Sequence, residues 1–278
     1  VAGVEKMTDH PNVGEILARA CYLKEESRFE SFAAVFAHIA QCYFDRYGDQ
    51  SDALAHIAAK NHRNGLANPY AQLRKDFDFE FCRAESEKNP QVSGPLKRTD
   101  CSPITDGAAA LVLADPDTAR ASTTSVAVRA IAQVNDFLPM SRRDMSRLEG
   151  CERAWRLALE RAGMTLDDLS LVETHDCFTV AELMQYEAMG LTPYGEGARA
   201  IREGWTERDG RLPVNLSGGL KSKGHPIGAT GVSMHAMAAM QLAGRAEAMQ
   251  LPDARRAGVF NMGGSGVANY ATILESTA

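Results

Sequence analysis

The chain has 278 residues, 45% hydrophobic and 24% charged, with a mean hydropathy of −0.26, the composition of a globular protein with an ample core. Its net charge of −6 argues against a nucleic-acid or anionic-membrane partner, and no apolar run approaches the ~20 residues that cross a bilayer. The six cysteines are scattered without a CxxC pair, which implies reduced thiols in a cytoplasm-like compartment, and His56 and His62 lack metal-ligand spacing.

In chain order, Val1-Ala2-Gly3-Val4-Glu5 reads as a strand already under way, and a start at Val rather than Met leads us to expect processing or a missing preceding piece. Residues 7–100 are polar, helix-rich and irregular, and read as a substrate-covering insertion. Phe29–Tyr47 carries apolar residues at helical spacing and ends at Gly48, a natural cap. Ser51 is the expected cap of a next helix over Asp52–Asn61, and 64–89 reads as loops with a short helix or strand.

From Asp106 the texture changes. Ala108–Ala114 reads as a short buried strand and Val126–Ala132 as another. Leu148–Ala162 is an amphipathic helix closed by Gly163, Leu169–Thr174 a strand, and Thr179–Met189 a helix closed by Gly190. Val214–Leu216 leads into a glycine bend and a helix to Ala243, and Ala257–Asn261 and Val267–Leu274 are two final strands. Alternating strands and helices predict an α/β layered fold with functional groups in strand-end loops.

Three such loops carry unusual residues. Glu173-Thr174-His175-Asp176-Cys177-Phe178 puts Cys177 between a strand and a helix, where free N–H groups and the helix dipole lower a thiol pKa. Gly224-His225-Pro226-Ile227-Gly228-Ala229-Thr230-Gly231 puts a histidine at a helix mouth, the helix starting near Thr230. Asn261-Met262-Gly263-Gly264-Ser265-Gly266 is a turn that can offer a backbone N–H to an oxyanion. Taken singly, each has a plain structural reading: a small buried filler, an incidental histidine, a hairpin turn. The stretch 219–225 misses the phosphate-loop spacing because His225 stands where a lysine is needed, and no Gly-x-Gly-x-x-Gly occurs in the bend. A reduced cysteine, a histidine and glycine-donated N–H groups on separate loops suit acyl-thioester chemistry.

HDCF at 175–178, NLSGGLKSKGHPIGATG at 215–231 and NMGGSGVANY at 261–270 closely resemble the thiolase family, in particular its sterol-carrier-protein type. VAGVEKM at 1–7, AKNHRNGLANPYAQ at 59–72 and DCSPITDGAAALVL at 100–113 resemble it in the same order, so the resemblance covers essentially the whole chain. It implies a layered αβαβα fold whose N-terminal half is incomplete here. Residues 1–6 and 101–120 would be its remnant, 7–100 a loop domain covering CoA, and 121–278 the C-terminal half.

It also implies roles. His225 would activate a nucleophilic cysteine and polarise the thioester oxygen, and Cys177 would move the proton on the substrate α-carbon. In most thiolases that second cysteine opens the last glycine turn, where this chain has Asn261. His175 would take the place of an asparagine that orients an oxyanion-hole water, the Gly263 N–H would serve the second hole, and Ser102 would contact the pantetheine arm of CoA. The family's nucleophilic cysteine falls before the segment matching Val1–Met7 and is expected outside this chain.

The resulting expectation is an acyl-CoA C-acyltransferase that cleaves 3-oxoacyl-CoA with CoA or condenses acyl-CoA molecules. CoA and acetyl-CoA would be substrates rather than bound cofactors, no metal would take part, and the assembly would be a cytoplasmic homodimer or homotetramer. Cys177 and His225 should face each other across a pocket with Gly263 beside them. The alternatives are a thiolase-like aldolase acting on CoA thioesters and a non-catalytic acyl-CoA-binding subunit.

Overall fold

A computed structural model describes residues 1–122 and 124–277. Its strands are β1 (Ala2–Glu5), β2 (Gln91–Ser93), β3 (Leu96–Lys97), β4 (Gly107–Ala110), β5 (Val126–Asn135), β6 (Leu171–Thr174), β7 (Arg256–Gly263) and β8 (Ala268–Ser276). The helices of the first half are α1 (Val13–Ala18), α2 (Leu23–Glu26), α3 (Phe32–Tyr47), α4 (Ser51–Leu66), α5 (Phe79–Arg83) and α6 (Pro116–Arg120). Those of the second half are α7 (Glu149–Ala162), α8 (Thr179–Ala188), α9 (Gly197–Arg202), α10 (Gly219–Lys223) and α11 (Ile227–Leu242).

The main sheet has the order β5-β8-β7-β6, with β6 parallel to β7 and the other pairs antiparallel. Helices cover both its faces, as β7 itself shows. A Cβ at Gly258 would meet the Trp155 ring on α7, whereas Asn261 faces Gly231 on α11. Residues three apart on a strand point to opposite sides, so α7 and α11 lie on opposite faces. Beyond α11 a second sheet pairs β1 with β4, and its backbone comes so close that a Cβ at Gly228 would lie 2.6 Å from the Val4 carbonyl oxygen. The order helix, sheet, helix, sheet is the α/β layering of a thiolase-like fold.

The expected helix at 29–47 forms as α3, capped by Ser31, with Gly48 at φ 85° closing it. Three helix expectations need correction. Ser51 does not cap α4 through its side chain: it is the helix's first residue, and Asp49 accepts from its N–H at 2.9 Å and its hydroxyl at 2.6 Å. The helix also runs past Asn61 to Leu66, because Gly65 makes room for the Ser222 side chain. The helix after the bend starts at Ile227 rather than near Thr230, since Pro226 already supplies the φ its entry requires.

The strand expected over Ala108–Ala114 is shorter and not buried. β4 stops at Ala110, pairs among the described residues only with β1, and alternates half-buried with exposed residues; beyond it Val112 is 96% exposed. Val214, just before the bend, makes a parallel bridge to Val172 of β6. The hydrophobic core is shared: Val35, Phe36, Ile39, Leu54 and Ile57 of α3 and α4 belong to the same cluster as Trp155, Leu171, Met184 and Phe260. The 7–100 region is therefore packed onto the site's own scaffold, with α4 against α8 and α10.

Candidate active site

One buried carboxylate joins two of the three loops. Asp176, in the loop after β6, accepts from the Leu220 N–H at 2.6 Å and the Lys221 N–H at 3.3 Å, buried donors of the first turn of α10 that have no partner within the helix. Gly219 sits at φ 58°, where a Cβ would collide with that carboxyl group. Asn61 of α4 donates its amide both to Asp176 at 2.9 Å and to Glu182 at 2.6 Å. Glu182 is ion-paired with Lys60 at 2.6 Å, both side chains fully buried. Burial and the nearby Glu182 push the Asp176 pKa up, partly offset by its N–H donors. At its other end α10 runs into Gly224, φ 110°, and so delivers His225.

The two histidines meet. Their ring centroids are 5.0 Å apart with the planes at 85°. His225 is held by its own N–H, which donates to Thr105 Oγ1 at 2.7 Å, and by Nδ1, 2.8 Å from Thr230 Oγ1. The Thr230 hydroxyl donates its single proton to the Pro226 carbonyl at 2.9 Å, so towards His225 it accepts. His225 is thereby the Nδ1–H tautomer, with a free lone pair on Nε2. Burial, His175 and Lys223 hold its pKa well below the ordinary value, and burial brings His175 to about 4 despite a hydrogen bond that opposes the shift. Both rings are neutral near pH 7.

The remaining expected residues fall as follows. Cys177 lies in the predicted strand-to-helix loop, but its thiol pKa is raised well above normal rather than lowered: burial and the adjacent Asp176 outweigh the backbone N–H groups. Its carbonyl accepts from the Ser102 N–H at 2.9 Å, which places Ser102 against the same loop. Among the described residues the hydrogen-bond partners of the two imidazoles are Asn261 for His175 and Thr230 for His225, and no hydrogen bond joins Cys177 to His225. Gly263 ends β7, and its carbonyl accepts from the Val267 N–H at 3.1 Å to close the hairpin turn. Arg143 clamps that turn through the Ser265 carbonyl at 2.7 Å and hydroxyl at 2.8 Å.

Composition and motif reading missed Asp176, Thr105 and Thr230 as site residues and gave Asn261 no role. Asn261 Oδ1 lies 2.6 Å from His175 Nδ1. The signal was available in register: β6 pairs with β7 up to Thr174 opposite Phe260, so the next pair is His175 and Asn261.

A cavity of about 380 Å³ opens beside Ser102. Phe77, Phe81, His62 and Cys101 line it together with the cations Lys75, Lys88, Arg98 and Lys221. The Phe77 and Phe81 rings stack at 4.5 Å, and Lys75 lies 5.1 Å over Phe77. Neither Cys177 nor His225 reaches this cavity's wall.

Residues 132–276 match the family described as thiolase C-terminal domain-like. The acetyl-CoA acetyltransferase of Methanothermobacter thermautotrophicus is 39% identical over 268 residues, 95% of this chain and 69% of that protein. Human sterol carrier protein 2 is 35% identical over 236 residues, 82% of this chain but 42% of that protein, so the chain spans less than half of this relative. The benzoylsuccinyl-CoA thiolase subunit BbsB of Thauera aromatica is 30% identical over 266 residues, 95% of this chain and 68% of that protein. Among solved structures, an Ltp2-ChsH2(DUF35) aldolase superposes with a TM-score of 0.86 at 22% identity over 99% of this chain and 72% of that chain, a likeness of fold. The sequence matches and the layered architecture together establish that this chain belongs to the thiolase family.

Proposed function

We propose that this chain supplies the acid/base machinery of an acyl-CoA C-acyltransferase, acting in thiolytic cleavage of 3-oxoacyl-CoA or in condensation of acyl-CoA. The observation that carries the reading is the pair of buried histidines whose ring centroids lie 5.0 Å apart, on the loops that also bear Cys177 and the bend. The free Nε2 of His225 takes the proton of a nucleophilic thiol. As an N–H it then donates to the oxygen of the thioester under attack. Burial keeps Cys177 protonated, which suits the cleavage direction: Sγ gives its proton to the enolate carbon and is left as thiolate. In condensation the thiolate takes the α-proton back. The Gly263 N–H supports the second oxyanion.

The cavity beside Ser102 fits the nucleotide end of CoA, with stacked phenyl rings for adenine and Lys75, Lys88 and Arg98 for phosphates. Assembly as a homodimer or homotetramer belongs to the same proposal and is read by light scattering. The decisive experiment uses the full-length gene product. Cys177→Ala should lower condensation by ~10²–10⁴-fold while acetyl-CoA still acetylates a cysteine detectable by mass spectrometry. Equal loss of both steps would remove Cys177 from the α-carbon chemistry, and no acetylated cysteine in the unaltered protein would favour the aldolase or binding reading.

A further inference from the structure

We infer that Asn261 is a positioning residue for this site: its side-chain oxygen fixes His175 as the Nδ1–H tautomer and presents the unprotonated Nε2 on the edge of the ring that remains. For its activity consequence the inference rests on the proposed function. Its structural content does not.

Three observations meet at this residue. First, the contact is short and direct, 2.6 Å from Asn261 Oδ1 to His175 Nδ1, so an oxygen acceptor there requires the proton on Nδ1. Second, the backbone on both sides is fixed. Asn261 is held in β7 by pairing with Tyr270 of β8, and the parallel ladder to β6 brings His175 alongside it. The His175 carbonyl is separately anchored by the Gln185 amide at 2.7 Å. Third, the amide has been given room from the opposite side. A Cβ at Gly231 of α11 would stand 3.1 Å from Asn261 Nδ2, a crowding that would press the amide towards His175.

Chemically, an amide suits this duty because it accepts a hydrogen bond without adding charge. A carboxylate at 261 would instead stabilise imidazolium. The charged and titratable groups around His175 are Lys223 at the end of α10, His225 in the bend, and Asp176 and Cys177 on its own loop. Among these, Lys223 also disfavours a proton on His175, so neutrality is the state the surroundings select. With both Nδ1 atoms committed, to Asn261 and to Thr230, the two rings offer their Nε2 atoms as acceptors. The resting site is then built to receive a proton-bearing group, a thiol or a water, and becomes a donor to an oxyanion only after taking that proton.

The test is long-range ¹H–¹⁵N correlation on histidine-labelled protein, with the His175 signals assigned by their loss in His175→Gln. The unaltered protein should show His175 as a single Nδ1–H tautomer from pH 6 to pH 8. Asn261→Ala should convert it to a mixture of tautomers, and Asn261→Asp should raise its titration midpoint by about one unit or more. Finding Nε2–H at His175 in the unaltered protein would overturn the inference, whether or not the variants fold. So would an unchanged tautomer in a folded Asn261→Ala. Because the readout needs no turnover, a protein that passes this test yet forms no acyl-enzyme would sink the proposed function and leave the role of Asn261 standing.

Discussion

His62 should make the fold sensitive to mild acid. The ring is 1% exposed, packs edge-on against Phe77 at 4.8 Å, and leaves its buried Nδ1 without a hydrogen-bond partner. Burial, reinforced by Lys221, lowers its pKa from 6.5 to about 3. As pH falls below 6.5, the unfolded chain takes up a proton that the folded chain refuses, so stability present above that pH is progressively lost down to about pH 3. The full difference corresponds to about 5 kcal/mol, of which about 2 kcal/mol is already lost between pH 7 and pH 5. That is a large share of the ~5–15 kcal/mol that usually holds a folded domain. Urea unfolding of the unaltered chain and of His62→Gln at both pH values isolates this residue, since every other titrating group is common to the two. The variant should lose about 2 kcal/mol less than the unaltered chain over that interval, with an unchanged m-value. A difference under about 0.5 kcal/mol would show that His62 is protonated in the folded state and refute the reasoning.

Lys60→Met should cost ~3–5 kcal/mol by stranding the Glu182 carboxylate, and adding Glu182→Gln should restore at least ~1 kcal/mol of it; an additive double-mutant cycle in urea would deny the coupling. Gly219→Ala combines a left-handed φ of 58° with collision against Asp176, and should lower stability by more than ~1–2 kcal/mol and displace both histidine loops, read as lost activity. Gly258→Ala would put a methyl 2.5 Å from the Trp155 ring and should cost ~1–3 kcal/mol with a shift in tryptophan emission. Lys75→Glu with Arg98→Glu should weaken CoA binding at least ~10-fold by calorimetry while thermal stability holds, since charged rim contacts set ligand attraction more than fold.

Helices α7 and α8 were legible because caps and periodicity agree there: α7 ends at Gly163 in the left-handed region, as its sequence demands, whereas the short α9 and α10 carried no such signal. The misreadings came where tertiary context decides. Nothing local in Ala108–Ala114 says that β4 will pair with β1 in a two-stranded sheet, and so expose Val112. Helix α4 outruns its expected end because Gly65, a helix breaker by propensity, is the notch into which Ser222 fits. The candidate residues on the HDCF and GHP loops were visible as motifs. The groups that orient them were not, since Asp176, Thr105 and Asn261 act through contacts 44, 120 and 86 positions along the chain. The Cys177 thiol shows the limit in another way: sequence gives the helix N-terminus, and only the fold gives the burial that reverses its effect.

The Asp176 carboxylate has a consequence for how this protein can be altered. Its two oxygens hold the loop of His175 and Cys177, the start of α10, the helix that leads into His225, and, through Asn61, the helix that carries His62 into the cavity wall. These parts therefore cannot drift independently. A displacement of α4 is transmitted to both histidines, and by reciprocity any ligand that favours one arrangement of the histidines favours the matching arrangement of α4. Variation in the outer surface of residues 7–100 is tolerable so long as Asn61 keeps its grip; a change at Asn61 itself is felt at two loops at once.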